Sequence, residues 1–225
     1  MKKAFLVFFS LPALFISCKK SSTDASATAS TKYMTLSTGS KWTYDVISNP
    51  GTAGSATVID TVTVSATDTV VGSRTYRIAK HTVAINGSTS DYYNISGNDY
   101  YRYQNFPASS TKIENIYLKD NADVATTWTQ TVNAVISGTT LPVTITNSIA
   151  AKGLSKTING TTYTNVIDVK TDLSSTGLPA GSIISNIHSY YAPKVGLIEG
   201  DYSVQVALAS INVNTQTLIR TAIIL

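Results

Sequence analysis

Val58-Ile59-Asp60-Thr61-Val62-Thr63-Val64-Ser65-Ala66 decides the fold class. Val58, Asp60, Val62, Val64 and Ala66 fall on one side of this run, with Ile59 and mostly threonine on the other. A repeat of two belongs to an extended strand whose faces meet different surroundings; a helix needs a repeat near 3.6. Trp42-Thr43-Tyr44-Asp45-Val46 alternates in the same way upstream, placing Trp42, Tyr44 and Val46 on one face.

Further strands are expected over 75–85, 90–96, 99–104, 112–118, 128–135, 143–151, 154–158, 162–173, 183–191, 202–213 and 218–224. Asn86-Gly87 and Asn159-Gly160 are hairpin signals, because both residue types tolerate the positive φ of a two-residue turn. Gly97-Asn98 marks a third hairpin. Short connections predict antiparallel neighbours. The expected fold is all-β and mainly antiparallel, a curved open sheet or incomplete β-barrel with room for one short helix near 121–125 or 178–186; a β-sandwich is the alternative.

Composition agrees. Hydrophobic residues make up 43% of the 225 residues and charged residues 13%, which argues against a disordered or coiled-coil chain. The single cysteine excludes an intrachain disulfide and a cysteine-built zinc site. The formal charge of +4 includes Lys2 and Lys3, and the other basic residues are scattered, so no nucleic-acid partner is expected.

Lys2-Lys3 is followed by an apolar run from Ala4 to Ile16, too short to span a bilayer as a helix, which needs about 20 residues. This is the pattern of a secretory signal peptide. Phe15-Ile16-Ser17-Cys18 resembles the lipobox of bacterial lipoproteins, with Phe15 where leucine is usual. The resemblance implies cleavage before Cys18 and acylation of that cysteine, so that its palmitate-type chains hold the protein at a membrane. The expected organisation is a signal peptide over 1–17, the lipidated Cys18 and a Ser/Thr/Ala-rich tether over 18–32, and one β-rich domain over 33–225. No Asp stands directly after Cys18 and no acidic cluster lies behind it, so the default placement is the outer membrane, facing the periplasm.

Three segments together resemble a group of uncharacterised Bacteroidetes lipoproteins. They are Leu36-Ser37-Thr38-Gly39-Ser40-Lys41-Trp42-Thr43-Tyr44, Ile158-Asn159-Gly160-Thr161-Thr162-Tyr163-Thr164-Asn165-Val166-Ile167, and Tyr190-Tyr191-Ala192-Pro193-Lys194-Val195-Gly196-Leu197-Ile198. The resemblance implies an exported open β-barrel and carries no catalytic residue. Trp42, Tyr44, Gly160, Tyr163, Pro193 and Gly196 read as structural: aromatics that seat a core, a turn glycine, a proline confined to a turn or edge, and a glycine at a bend or close backbone approach.

Chemistry is sparse. His81 and His188 stand in no metal-binding spacing, and no GxSxG elbow, GxGxxG fingerprint or P-loop occurs. No enzyme activity, metal or cofactor is expected. Asp60, Asp168 and Asp172 are candidate paired carboxylates only by default. Asp60-Thr61-Val62 and Asp68-Thr69-Val70 resemble sites that Bacteroidetes O-glycosylate.

Tyrosine is the feature above background: Tyr92, Tyr93, Tyr100, Tyr101 and Tyr103 crowd one predicted hairpin. A two-residue loop at Gly97-Asn98 pairs Tyr92 with Tyr103 and Tyr93 with Arg102. A two-residue loop at Asn86-Gly87 would pair His81 with Tyr92, gathering Tyr92, Tyr101, Tyr103 and His81 on one face as the candidate ligand-binding group. Such a face could stack a sugar, or simply brace the sheet through cross-strand pairs. A cupped sheet could instead enclose an apolar or amphipathic ligand. The expected roles are therefore a non-enzymatic lipoprotein binding an apolar or amphipathic envelope ligand, a carbohydrate-binding accessory protein, or a structural protein docking on an envelope partner.

Overall fold

A computed structural model of the chain describes residues 32–83, 87–106, 111–136, 138–207 and 211–225. The expected signal peptide, Cys18 and most of the expected tether lie outside these residues.

Twelve strands form one antiparallel sheet. They are β1 (Lys41–Ser48), β2 (Ala56–Val71), β3 (Arg74–Val83), β4 (Gly87–Ser96), β5 (Asp99–Asn105), β6 (Lys112–Lys119), β7 (Thr127–Ile136), β8 (Thr139–Ile158), β9 (Thr161–Ser175), β10 (Ile183–Ala192), β11 (Gly196–Val206) and β12 (Ile211–Ile223). Each strand pairs with its sequence neighbours except at one place. The first and last strands, β1 and β12, pair in the middle, and β6 and β7 are the two edges. The sheet curls into a nearly closed barrel, with the seam between those edges.

Alternation explains why it curls inward as it does. Trp42, Tyr44, Val62 and Val64 are buried inside, while the intervening threonines face out. Asn159 and Gly160 have φ of 48° and 80°, as a two-residue primed turn requires, and Ile158 pairs directly with Thr161. Register shifts put extra residues on β2, β6, β8, β11 and β12, which kink those strands and help turn the sheet.

The seam is closed by side chains instead of a ladder. Trp128 Nε1 of β7 donates to the Ile116 carbonyl of β6 at 2.7 Å. Asn147 Nδ2 of β8 reaches the same carbonyl at 3.1 Å, and Gln130 Nε2 donates to the Glu114 carbonyl. At the far end of the seam the Val135 amide donates to Thr111 Oγ1 at 3.3 Å. Bare edge carbonyls thereby gain partners without a thirteenth strand. Apolar contacts add to this closure. Ile113 and Phe106 pack with Ala134, Val143 and Ile145, and Leu118 packs with Ile149 and Trp128.

The three sequence segments of the family resemblance meet at one end of the barrel. Trp42 Nε1 donates to the Val195 carbonyl at 2.6 Å, and the Tyr44 hydroxyl donates to the Leu197 carbonyl at 3.2 Å. Both carbonyls lie in or beside the β10–β11 turn that holds Pro193. Gly196, at φ 87°, faces Met34, whose Cγ would stand 3.6 Å from a Cβ there. Residues 32–36 form a strap across this end. The Tyr33 amide donates to the Tyr100 hydroxyl at 2.9 Å, the Tyr33 hydroxyl donates to the Asn165 carbonyl at 2.7 Å, and Tyr163 packs on the same core.

Several expectations need correction. No sandwich forms, since all twelve strands share one sheet. Residues 121–125 form a turn and 183–192 a strand, so neither candidate helix exists. The expected strands 143–151 and 154–158 are one strand, β8, which passes through Gly153 (φ 71°) by local register shifts. The expected strand 202–213 is split between β11 and β12, because β11 already begins at Gly196, directly after the tight turn.

Trp128→Phe should remove about 1 kcal/mol of stability, the net value of one hydrogen bond. Amide exchange should accelerate in β6 and β7 more than in β1 and β12. Uniform acceleration across the sheet, read by hydrogen exchange with mass spectrometry, would mean the seam is not the weakest joint.

Candidate functional site

Barrels of about eight strands are just filled by their own side chains, and wider ones leave space. This twelve-strand barrel holds a cavity of about 370 Å³. Its wall under the capped end is aromatic: Trp42, Tyr44, Tyr93, Tyr117 and Tyr191. Toward the other end it is lined by Phe106, Ile113, Ile145 and Leu173.

The aromatic wall is braced by edge and tilted ring contacts. Tyr117 meets Tyr93 at 6.1 Å and 86°, Tyr100 at 6.1 Å and 62°, and Tyr191 at 5.5 Å and 40°. Its hydroxyl lies 3.2 Å from Met34 Sδ. Burial pushes the Tyr117 hydroxyl well up and Tyr191 up to about 12, so both stay neutral in ordinary buffers.

One side of the cavity carries charge, contributed by four adjacent strands. On β2 and β3, His81 Nδ1 sits 2.8 Å from Asp60 Oδ2. His81 Nε2 lies 3.0 Å from Asp91 Oδ2 of β4, but without the angle of a hydrogen bond. Arg102 of β5 donates to Asp91 Oδ2 through Nε at 2.9 Å and also through Nη2. The string alternates in sign and sums to zero when His81 is protonated.

The pKa shifts follow from that arrangement. Burial alone would lower His81, but the Asp60 and Asp91 carboxylates raise it from 6.5 to about 9. Burial alone would raise the Asp91 carboxyl, but Arg102 and His81 hold it well below the usual carboxylate range. Burial alone would lower the Arg102 guanidinium, but Tyr93 and Asp91 push it further up.

The structure divides the candidate tyrosine–histidine group. The Gly97-Asn98 hairpin has the expected register, pairing Tyr92 with Tyr103 and Tyr93 with Arg102. The preceding hairpin does not. Val83 pairs with Gly87, so three residues connect β3 to β4, and His81 pairs with Thr89 instead of Tyr92. A slip of three residues exchanges the faces. His81 therefore lines the cavity with Tyr93 and Arg102, while Tyr92, Tyr101 and Tyr103 lie on the outer face.

On that outer face the three tyrosines form a cluster, but not a flat one. Tyr103 is tilted 49° against Tyr92 and 45° against Tyr76. Arg74 lies 3.5 Å over the Tyr101 ring, and Lys112 approaches Tyr92 at 5.0 Å. These cations occupy ring faces that a stacking ligand would need.

The other candidate carboxylates are not assembled into a pair. Asp60 is inside with His81, Asp168 lies on the outer face at 2.9 Å from His188 Nδ1, and Asp172 pairs with Lys170 at 2.9 Å. Among the described residues no three His, Cys, Asp or Glu side chains are grouped to hold a metal ion. Thr61 projects outward between the inward Asp60 and Val62.

Asp91, Tyr117 and Tyr191 went unnoticed in the sequence as site residues. Tyr117 was hidden by a register shift: Tyr100 opposes Leu118 and Tyr101 opposes Ile116, leaving Tyr117 as the extra residue. Asp91 follows from the corrected β3–β4 register, which sets it opposite Ala79, two residues from His81 along β3.

The fold defines a meandering antiparallel barrel with an internal cavity. No protein-family model matches the chain, and no curated protein matches its sequence. Its fold is similar to the crystal structure of a protein from Parabacteroides distasonis regarded as a lipoprotein, with 12% identity and a TM-score of 0.53, covering 86% of this chain and 99% of that one. At that identity the likeness concerns the fold alone.

The charged form of His81 contributes stability in full below pH 6.5, and this is lost as pH rises through about 9. The change is of the order of 3 kcal/mol. Urea unfolding across that interval should show wild-type stability falling. His81→Gln should be less stable at pH 6.5 and nearly flat above it; parallel curves would contradict the assignment.

Proposed function

We propose that this chain is a bacterial cell-envelope lipoprotein, held by acyl chains on Cys18, whose barrel takes up a small apolar or amphipathic ligand. The observation that carries this reading is the cavity of about 370 Å³ beneath the aromatic cap. Ligand sites run from about 300 to 1,000 Å³ and combine apolar walls with a few placed polar groups. The walls here fit that description. The reading assigns retention of a ligand and no chemical turnover, because the groups inside that could exchange protons, Asp60, His81 and Asp91, are engaged with one another.

The anchor is supported by the lysine-led apolar leader ending at Cys18. The fold likeness to a Parabacteroides protein regarded as a lipoprotein agrees with it. Placement in the outer membrane, facing the periplasm, rests on Lys19 instead of Asp directly after Cys18 and on the lack of an acidic cluster behind it. More than one acyl chain gives stable attachment, since each buried methylene contributes about 0.8 kcal/mol.

Two measurements test the reading. Metabolic palmitate should label the wild-type chain and not Cys18→Ser. Native mass spectrometry of the full chain taken from envelopes should reveal a bound small molecule. Thr217→Trp, which fills part of the cavity, should remove it. A wild-type chain that stays empty after exposure to envelope lipids would end the ligand-binding reading.

A further inference from the structure

The charged wall is not symmetrical toward the cavity. The side chains of Asp60, His81 and Asp91 are only 14–15% exposed, whereas that of Arg102 is 32% exposed. Asp91 is not part of the lining, but Arg102 is. Asp60 Oδ1 and His81 Nε2 are sealed, with Nε2 turned toward Asp91 at 3.0 Å, so they cannot meet a ligand without rearrangement. Arg102 Nη1 is neither sealed nor hydrogen-bonded among the described residues, because Asp91 takes Nε and Nη2. The accessible charge is therefore a cation, with its counter-ion behind it.

Its neighbours extend the same polarity. Arg102 pairs with Asn115 and Gln104 with Ile113 across β5 and β6, so two further amide side chains border the guanidinium on the cavity wall. Beyond them the wall turns apolar, with Phe106, Ile113, Ile145 and Leu173. A space of about 370 Å³ is near the lower limit of ligand sites, room for one alkyl chain and too little for a two-chain phospholipid.

From this we infer that the cavity is built for a single-chain amphiphile with an anionic, carboxylate-type head, the head on Arg102 and the chain along Phe106, Ile113, Ile145 and Leu173. This deepens the ligand-binding reading above and rests on it. A carboxylate suits the free guanidinium N–H, which is planar, weakly hydrated and backed by a fixed anion. A cationic head would meet the Arg102 guanidinium with Asp91 on its far side, and an uncharged alcohol would forfeit the charge-assisted bond.

The test uses the full chain and three photoreactive probes that share one alkyl chain and differ only at the head: carboxylate, alcohol and trimethylammonium. Crosslinks are located by mass spectrometry. The carboxylate probe should label the Phe106–Ile113–Ile145 wall about tenfold or more above the alcohol, as expected for one charge-assisted hydrogen bond, and the ammonium least. Arg102→Gln alone strands Asp91 and risks misfolding. The double variant Arg102→Gln with Asp91→Asn keeps the net charge; it should retain alcohol labelling and lose the carboxylate preference. Equal labelling by all three heads, or a preference for ammonium, overturns the head-group assignment and leaves the cavity reading standing. Labelling of that wall by none of them overturns both.

Discussion

A meander of twelve strands has two bare edges, and everything inside this protein depends on those edges meeting. They do so without a ladder. Trp128, Gln130 and Asn147 supply donors that a neighbouring strand would otherwise have supplied, each aimed at a carbonyl of β6. Asn147 is buried and fully occupied, also accepting from the Thr171 hydroxyl at 2.6 Å. Closure of this kind costs more side-chain ordering than a ladder does. It leaves a joint that is specific in sequence, because only particular residues reach.

Once closed, the barrel is too wide to fill itself, and the chain deals with the surplus in two ways. The strap and the Pro193 turn fill one end, gripped by Trp42, which is 1% exposed. Lower down the space stays open, bordered by the Asp60–His81–Asp91–Arg102 string. Such a string is expensive: each ion loses hydration, and replacing a buried pair with apolar residues is often neutral or stabilising. Alternating sign across four strands limits that penalty. It also means that removing a single member leaves an uncompensated charge, so the four side chains hold their strands in one register together.

Much of this was legible in the sequence because alternation and turn chemistry are local. The Asn159-Gly160 hairpin, the inward Trp42 and Tyr44 and the close approach at Gly196 all follow from short-range rules, and the structure has them. The failures are long-range. Asn86-Gly87 carries a strong two-residue turn signal, yet the connection ends before Gly87, which is already in β4. That displacement moved His81 from the outer tyrosines to the interior. Tyr117 breaks alternation at a register shift that no local pattern announces. The charge string could not be seen at all, because its members are far apart in sequence and become neighbours only when β2 to β5 are in register.

An even number of strands running up and down brings the start and finish of the barrel to one rim. Lys32, where the strap begins, donates from Nζ to the Gly97 carbonyl there, and the Leu225 amide donates to Ser40 Oγ at 3.2 Å. Five of the connections between strands share this base, and the six others form the opposite rim. A carrier domain, dye or solid support joined after Leu225 would emerge at the strapped rim, away from the six connections of the opposite one.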